Sequence, residues 1–313
     1  RLARWYLRQK QTAAFQQLTR EVVDIFSGTD LERYFRQVVS PGAVGAGMYL
    51  QVNLYAHQRF PNNLVFVNNL LGAYTARGTA DPAAWQRLLR RYWYFDDGLR
   101  ATFFRFLAGS QQLDAELNEA RNAGPGNLAA VRFVAEAEAW RSHFEQAAPG
   151  FDALAAQHPA DAGIAQRAAA LNRSLAAFDP QCAARAVAIE EKLHQFAPRD
   201  STTLTRIGET YADRELFDSA RPYWNRIAAI EPGKPDGYLE AATTFWDYFL
   251  YDDALRLIEE GRARLNNPSL FAYEAGAIYE NKRDYARAVA EYMKGAAPGS
   301  SARARLIQLS RRP

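Results

Sequence analysis

The sequence predicts an all-α fold of stacked, antiparallel helix pairs, and three observations predict it. A set of residue types recurs at a fixed step of 34 positions, the mark of a repeat architecture. Ala, Leu, Arg and Glu dominate the composition, and few segments are rich in β-branched residues, which favours helix over strand. No run alternates with period two for long enough to make a strand.

The repeat is read column by column. Stepping by 34 from Gly208 reaches Ala242 and Gly276, all small. Tyr211, Phe245 and Tyr279 are all aromatic, as are Phe217, Tyr251 and Tyr285. Ala220, Ala254 and Ala288 are identical, and Trp224, Ile258 and Tyr292 are all bulky. These columns describe a helix–turn–helix. A small residue on the first helix and an alanine on the second let two backbones approach, and aromatics fill the space between hairpins. Pro232 then ends the second helix, and Pro268 and Pro298 fall near the same place, since proline has no N–H to continue the ladder. Pro222 is tolerated one turn into the second helix if Asp218 is its N-cap.

Gly208, Tyr211, Ala220, Trp224 and Pro232 together resemble the tetratricopeptide repeat. The resemblance is clear over residues 201–300. Ala186 and Pro198 keep two columns one period earlier, while Ser174 and Ala177 keep the small and aromatic signature only in part, so 160–198 reads as a degenerate repeat. The resemblance implies a right-handed superhelical solenoid. The expected organisation is a divergent helical-hairpin region over 1–159, the repeat array over 160–300 and a capping helix over 301–313, in one continuous stack.

Upstream the helical pattern persists without the strict period. Residues 27–39 begin a helix with a capping-box spacing from Thr29 to Glu32. Residues 60–93 read as a hairpin, with Leu71, Gly72 and Tyr74 on its first helix and Ala84, Leu88 and Leu89 on its second. The glycine-bearing stretches 40–47 and 122–127 read as loops. About fourteen helices are expected in all, mostly paired.

Several function classes find no support in the residues. The formal charge of +3 is too small to point to nucleic acid. Cys182 is the one cysteine, so an intramolecular disulfide or a multi-thiolate zinc site is ruled out, and a buried, inert thiol is expected. His57, His143, His158 and His194 show no metal-binding spacing, and no nucleophile-elbow or phosphate-loop sequence occurs. The glycines of 42–47 lack the order of a dinucleotide loop. No apolar run is long enough for a transmembrane segment. The chain opens on Arg1 rather than Met, as expected of a processed product or part of something longer. Aromatics interleaved with arginines at 90–106 are expected to be mainly core. No catalytic residue, metal or cofactor is expected.

The resemblance implies that the first helix of each pair lines a concave groove. The groove residues it nominates are Phe178, Asp179, Glu209, Asp213, Trp246, Asp247, Tyr273 and Glu280. Asp179, Asp213, Asp247 and Asn281 form one column, an acidic stripe flanked by Glu209 and Glu280, and Phe178, Trp246 and Tyr273 supply rigid anchors. Such a groove suits a protein or peptide partner with basic character. The competing reading makes the stripe a set of solvated turn caps. The lysine and asparagine clamp by which some family members hold an acidic peptide terminus is missing here.

The expected function is therefore a non-catalytic protein–protein interaction scaffold or adaptor. One alternative is a self-assembling structural subunit of a homo-oligomer, filament or larger complex. It draws on the basic ends, Arg1, Arg4, Arg8 and Lys10 at the start and Arg303, Arg305, Arg311 and Arg312 at the finish. A second alternative is a helical appendage of an enzyme whose catalytic domain lies outside this chain.

Overall fold

The computed structural model describes residues 1–310, so Arg311 and Arg312 of the expected capping helix lie outside the described residues. The described residues form twenty helices and no strand. The count exceeds the sequence expectation in part because short helices, Leu2–Arg8 (α1) and Pro41–Val44 (α4), carry too few turns to show a period. Contacts divide the chain into two compact units, Arg1–Glu116 and Leu117–Pro313.

The first unit contains α1, Thr12–Ile25 (α2), Gly28–Val38 (α3), α4, Ala46–Arg59 (α5), Leu64–Ala73 (α6), Pro82–Tyr92 (α7) and Asp97–Gly109 (α8); Leu113–Asn122 (α9) begins at its end. Its packing is irregular, because α2 lies against α5 rather than only against its sequence neighbours. Phe15, Leu31, Phe35 and Phe66 are fully buried at the centre, and the Phe35 and Phe66 rings meet edge-on at 4.9 Å.

Two expectations fail in this unit for identifiable reasons. Helix α3 starts two residues early, with Ser27 at its N-cap, so Thr29 lies inside the helix and the capping box does not form. Glu32 instead accepts a hydrogen bond from Asn63 Nδ2 at 3.0 Å. The stretch 40–47 is not a loop: Ser40 caps α4, and Gly45 alone breaks the helix, at φ 79°. The hairpin of 60–93 forms as α6 and α7, with Tyr74 at the C-cap of α6. The aromatic cluster is largely core. Tyr92, Trp93, Phe103 and Phe104 are buried, and Trp93 stacks on Phe103 at 5.4 Å, while Tyr94 and Phe95 remain exposed.

The second unit continues with Leu128–Trp140 (α10), Phe144–Gln157 (α11), Ala162–Leu175 (α12), Pro180–Phe196 (α13), Ser201–Ala212 (α14) and Phe217–Ile230 (α15). It ends with Pro235–Asp247 (α16), Tyr251–Leu265 (α17), Ala272–Asn281 (α18), Tyr285–Lys294 (α19) and Ser301–Ser310 (α20). Here consecutive helices pack on one another from α10 through α20, a tetratricopeptide-like repeat fold.

The columns have direct physical meaning. Gly208 lies against the fully buried Trp224, whose Nε1 is 2.0 Å from where a Cβ would stand. Gly276 lies against Tyr292 in the same way, with 2.5 Å to Cε1. Where the last column holds the smaller Ile258, the first column holds alanine, Ala242, and both are buried. Close approach of the two helices therefore needs glycine only where the facing side chain is a large ring.

The hairpin turns are equally regular. Glu215, Phe249 and Arg283 adopt φ of 60°, 61° and 62°, the left-handed conformation that ends a helix in a Schellman turn. The next residue donates its backbone N–H five positions back: Leu216 to Tyr211 O, Leu250 to Phe245 O, and Asp284 to Tyr279 O, at 2.9–3.0 Å. The acceptors are the members of one aromatic column.

The same unit appears once more, out of step. Ser142 has φ 63°, and His143 N donates to Glu138 O at 2.8 Å. Counting from this turn, Ala135, Phe144, Ala147, Phe151 and Pro159 fall in the columns of Gly208, Phe217, Ala220, Trp224 and Pro232. Pro149 likewise matches Pro222, each the sixth residue of its helix. A Cβ on Gly150 would stand 2.8 Å from Ala135 Cβ, so this hairpin is tightly packed too. The α12–α13 hairpin between the two copies lacks the left-handed turn. Asp179 caps α13 instead, and α13 runs for 17 residues where α11 and α15 have 14. Ser142 and Glu215 stand 73 residues apart, five more than two periods of 34, and the longer α13 supplies three of the five.

Pro222 is explained differently from expectation. Leu216, not Asp218, is the N-cap of α15, so Pro222 lies within the helix, and Asp218 pairs with Arg221.

Candidate functional site

The nominated groove residues divide into three groups. Asp179 is a turn cap: its Oδ1 accepts from Gln181 N at 2.9 Å and its Oδ2 faces Arg185 at 3.2 Å. The cap hydrogen bond and the neighbouring arginine hold its carboxyl below the usual range. Phe178, beside it, is in the turn after α12, 84 % exposed, and not on the first helix of a pair.

Glu280 and Tyr273 form a second group, around Tyr292. Glu280 accepts from Tyr292 Oη at 2.6 Å and takes a two-pronged contact from Arg305 Nε and Nη2 at 2.8 and 2.6 Å. The terminal helix α20 thus folds an arginine onto this carboxylate, whose side chain is 10 % exposed. Arg305, which the sequence groups with the basic residues of the chain's end, is here a counter-ion to Glu280. The Tyr273 ring lies 5.8 Å from that of Tyr292 and remains 40 % exposed.

Glu209, Asp213, Trp246 and Asp247 form the third group, and here the carboxylates stay open. Glu209 and Asp213 are one turn apart on α14 and at its C-cap, hence on one side of the helix. Asp213 accepts from Tyr248 Oη at 3.3 Å, which joins α14 to the residue after α16. Neither Glu209 nor Asp247 makes an ion pair or side-chain hydrogen bond among the described residues. Burial, then the charge of Asp213, raises the Glu209 carboxyl above its ordinary value, against the opposing pull of Arg173 and Arg206. Burial, then the charges of Asp213 and Glu209, pushes the Tyr248 phenol up strongly, with Asp247 contributing. These groups therefore share one field, with Trp246 half-buried at its edge.

Beneath this cluster lies a buried charge. Glu190 on α13 is fully buried and receives Arg173 Nη1 from α12 at 2.5 Å. Burial raises its carboxyl, and Arg173 and Arg206 counter the rise. Arg173 is thereby held on the interior carboxylate, and the outer one, Glu209, has no direct partner among the described residues.

Sequence reasoning missed Tyr248 and the pairing of Arg305 with Glu280. Tyr248 follows the acidic column directly, and a phenol two positions after the half-buried Trp246 was a readable signal. Arg305 comes from outside the repeat, so no column could show it.

Other candidate chemistry is structural. Cys182 is buried, donates toward Asp179 Oδ2 at 3.3 Å, and has its thiol raised chiefly by burial. His143 meets Glu138 at 2.8 Å, and His194 meets Thr203 at 2.9 Å. Among the described residues, no three His, Cys, Asp or Glu side chains gather as a metal site, and no helix is long and apolar enough to cross a membrane.

No family model matches the chain, and no curated protein matches it. Solved structures similar to it include a tetratricopeptide repeat protein from Parabacteroides merdae, at 14 % identity and a TM-score of 0.37, covering 84 % of this chain and 97 % of that one. The crystal structure of MamA is similar at 13 % identity and a TM-score of 0.34, covering 54 % and 90 %. Yeast Tom70 is similar at 11 % and 0.28, covering 93 % and 74 %. Scores this low carry no functional argument, and the helix-pair architecture rests on the packing and turns described above.

Proposed function

We propose that the chain is a non-catalytic protein-interaction scaffold whose second unit receives a basic, apolar-anchored segment of a partner. One observation carries the reading. Glu209, Asp213 and Asp247 form a carboxylate cluster that the fold leaves without cations at hydrogen-bond distance, beside Trp246 and the Tyr248 ring. A lysine or arginine entering there would relieve the repulsion between Glu209 and Asp213. Burial of an apolar side chain against Trp246 would supply affinity, and the charges would supply orientation and on-rate.

The cluster is narrower than the eight-residue groove expected from the columns. Asp179 and Glu280 already hold internal arginines, so they contribute little to a partner. The test is panning of a random phage-displayed peptide library on the full chain, followed by affinity measurement on the Asp213→Lys/Asp247→Lys variant. Enriched peptides should carry Lys or Arg near an aromatic or leucine and bind the variant roughly tenfold or more weakly. Equal binding to both proteins would refute the site.

A further inference from the structure

The first unit carries the opposite charge. Residues 1–116 hold 14 Lys and Arg against 9 Asp and Glu, whereas residues 117–313 hold 24 against 26. Much of the excess gathers beside one cleft of about 1000 Å³ bounded by α1, α2 and α3. Arg1, Arg4 and Arg8 line it at helical spacing, Arg33 lines it from α3, and Val22 and Phe26 line it from the end of α2.

Among the described residues, the cations that α1 brings to this cleft are not spent on ion pairs, and only Arg33, on α3, is paired, with Asp30 of the same lining. Arg33 faces Asp30 at 3.2 Å, and Arg4 donates weakly to the Gln37 carbonyl at 3.4 Å. Among the described residues, no carboxylate stands within ion-pair distance of Arg1, Arg4 or Arg8. Three guanidinium groups on one stripe of a two-turn helix repel one another. Apolar surface is exposed in the same lining: Phe26 is 48 % exposed. Elsewhere the fold uses arginine differently, as where Arg305 is folded onto Glu280.

We propose that this cleft is a second binding site, for an acidic segment of a partner protein that carries an apolar anchor. Carboxylates of the segment would lie along Arg1, Arg4 and Arg8, where guanidinium forks hold them in pairs of hydrogen bonds. The anchor would cover Phe26 and Val22. A recessed site favours a segment over a bilayer, because a flat surface cannot reach the walls of a cleft. The chain would then join a basic segment at one unit to an acidic one at the other, as an adaptor does.

The site is tested by panning a random phage-displayed peptide library on the full chain, with affinities then measured on Arg4→Glu/Arg8→Glu. Acidic, apolar-anchored peptides should be enriched, and their affinity should fall roughly tenfold or more in the variant, steeply with salt. Their binding should be unaffected by Asp213→Lys/Asp247→Lys, which separates this site from the acidic one. Arg8→Ala, at an exposed position, gives the same direction with a smaller loss and covers the case in which the double variant fails to fold. Three outcomes would overturn the proposal. One is no enrichment of acidic peptides, or equal binding by the variants. Another is variant-sensitive sedimentation with phosphatidylcholine–phosphatidylglycerol vesicles and no peptide enrichment, which would assign the surface to a membrane. The third is self-association that Arg4→Glu/Arg8→Glu abolishes, which would assign the cleft to a second copy of this chain.

Discussion

Hairpins α14–α15 and α18–α19 share the same packing and differ in what they leave open. In one, Gly208 lies against the Trp224 indole; in the other, Gly276 lies against the Tyr292 ring. Both turns carry a left-handed residue, Glu215 or Arg283. Yet Glu280 is held by Tyr292 and Arg305, while Glu209 meets no cation at hydrogen-bond distance and has its carboxyl raised by burial and Asp213. The neighbouring element makes the difference. Helix α20 brings an arginine to the last hairpin, whereas α16 brings Tyr248 and Asp247 to the earlier one. Repeat position decides packing, and the following helix decides charge.

The largest expected effect strikes what the two hairpins share. Gly208→Ala places a methyl group in the Trp224 ring and threatens its hydrogen bond to Thr205 O at 3.2 Å. A loss of about 2–3 kcal/mol is expected from overpacking, and Gly276→Ala should lose somewhat less because its contact begins at 2.5 Å. Denaturant unfolding measures both. Gly72→Ala, with nothing within 4 Å of the added methyl, is the control and should not destabilise.

A smaller effect strikes what distinguishes them. Arg305→Met removes the two-pronged contact from a nearly buried carboxylate and should cost about 1–2 kcal/mol. Adding Glu280→Gln should recover part of that loss, because the stranded charge goes with it. A double-mutant cycle that shows no coupling between the two positions would break the comparison.

The smallest effect is in pH. Glu209 has a raised carboxyl in the free protein, and a bound lysine or arginine pulls it back down. Binding therefore releases a proton as pH falls into the range between the ordinary glutamate value and the raised one. Affinity for a basic peptide should weaken as pH falls through that window and level off above it. Glu209→Gln should flatten this part of the profile in a titration across pH. For folding the sign is opposite: a raised carboxyl contributes stability at low pH that is lost as pH rises through the same window.

The fold was legible where side-chain size repeats. Gly208, Ala242 and Gly276 opposite Trp224, Ile258 and Tyr292 give a column whose cause is volume, and volume is written in the residue type. Hairpin α10–α11 was hidden although Ala135, Ala147, Phe151 and Pro159 obey the same rule, because five extra residues, three of them in the longer α13, break the count. The turns were silent too. Their left-handed residues are Ser, Glu, Phe and Arg rather than glycine, so geometry is imposed by the flanking helices and leaves no compositional mark. The site was legible in part. The spacing of Glu209 and Asp213 on one helix face can be read directly, but the pairing of Glu280 with Arg305 depends on where a helix outside the repeat comes to rest. Asp179 shows the remaining ambiguity, since an aspartate two positions before Gln181 serves equally as a groove residue or an N-cap, and the structure makes it a cap.

The central claim is that the two carboxylate groups, each carried at the end of the first helix of an equivalent hairpin, differ in availability. It is tested most directly by isothermal titration of one basic, apolar-anchored peptide, selected on the wild-type chain, against two variants of equal charge change, Asp213→Asn and Glu280→Gln. The account predicts a loss of roughly fivefold to tenfold for Asp213→Asn and no change for Glu280→Gln. Equal losses for the two variants, or a loss confined to Glu280→Gln, would contradict it.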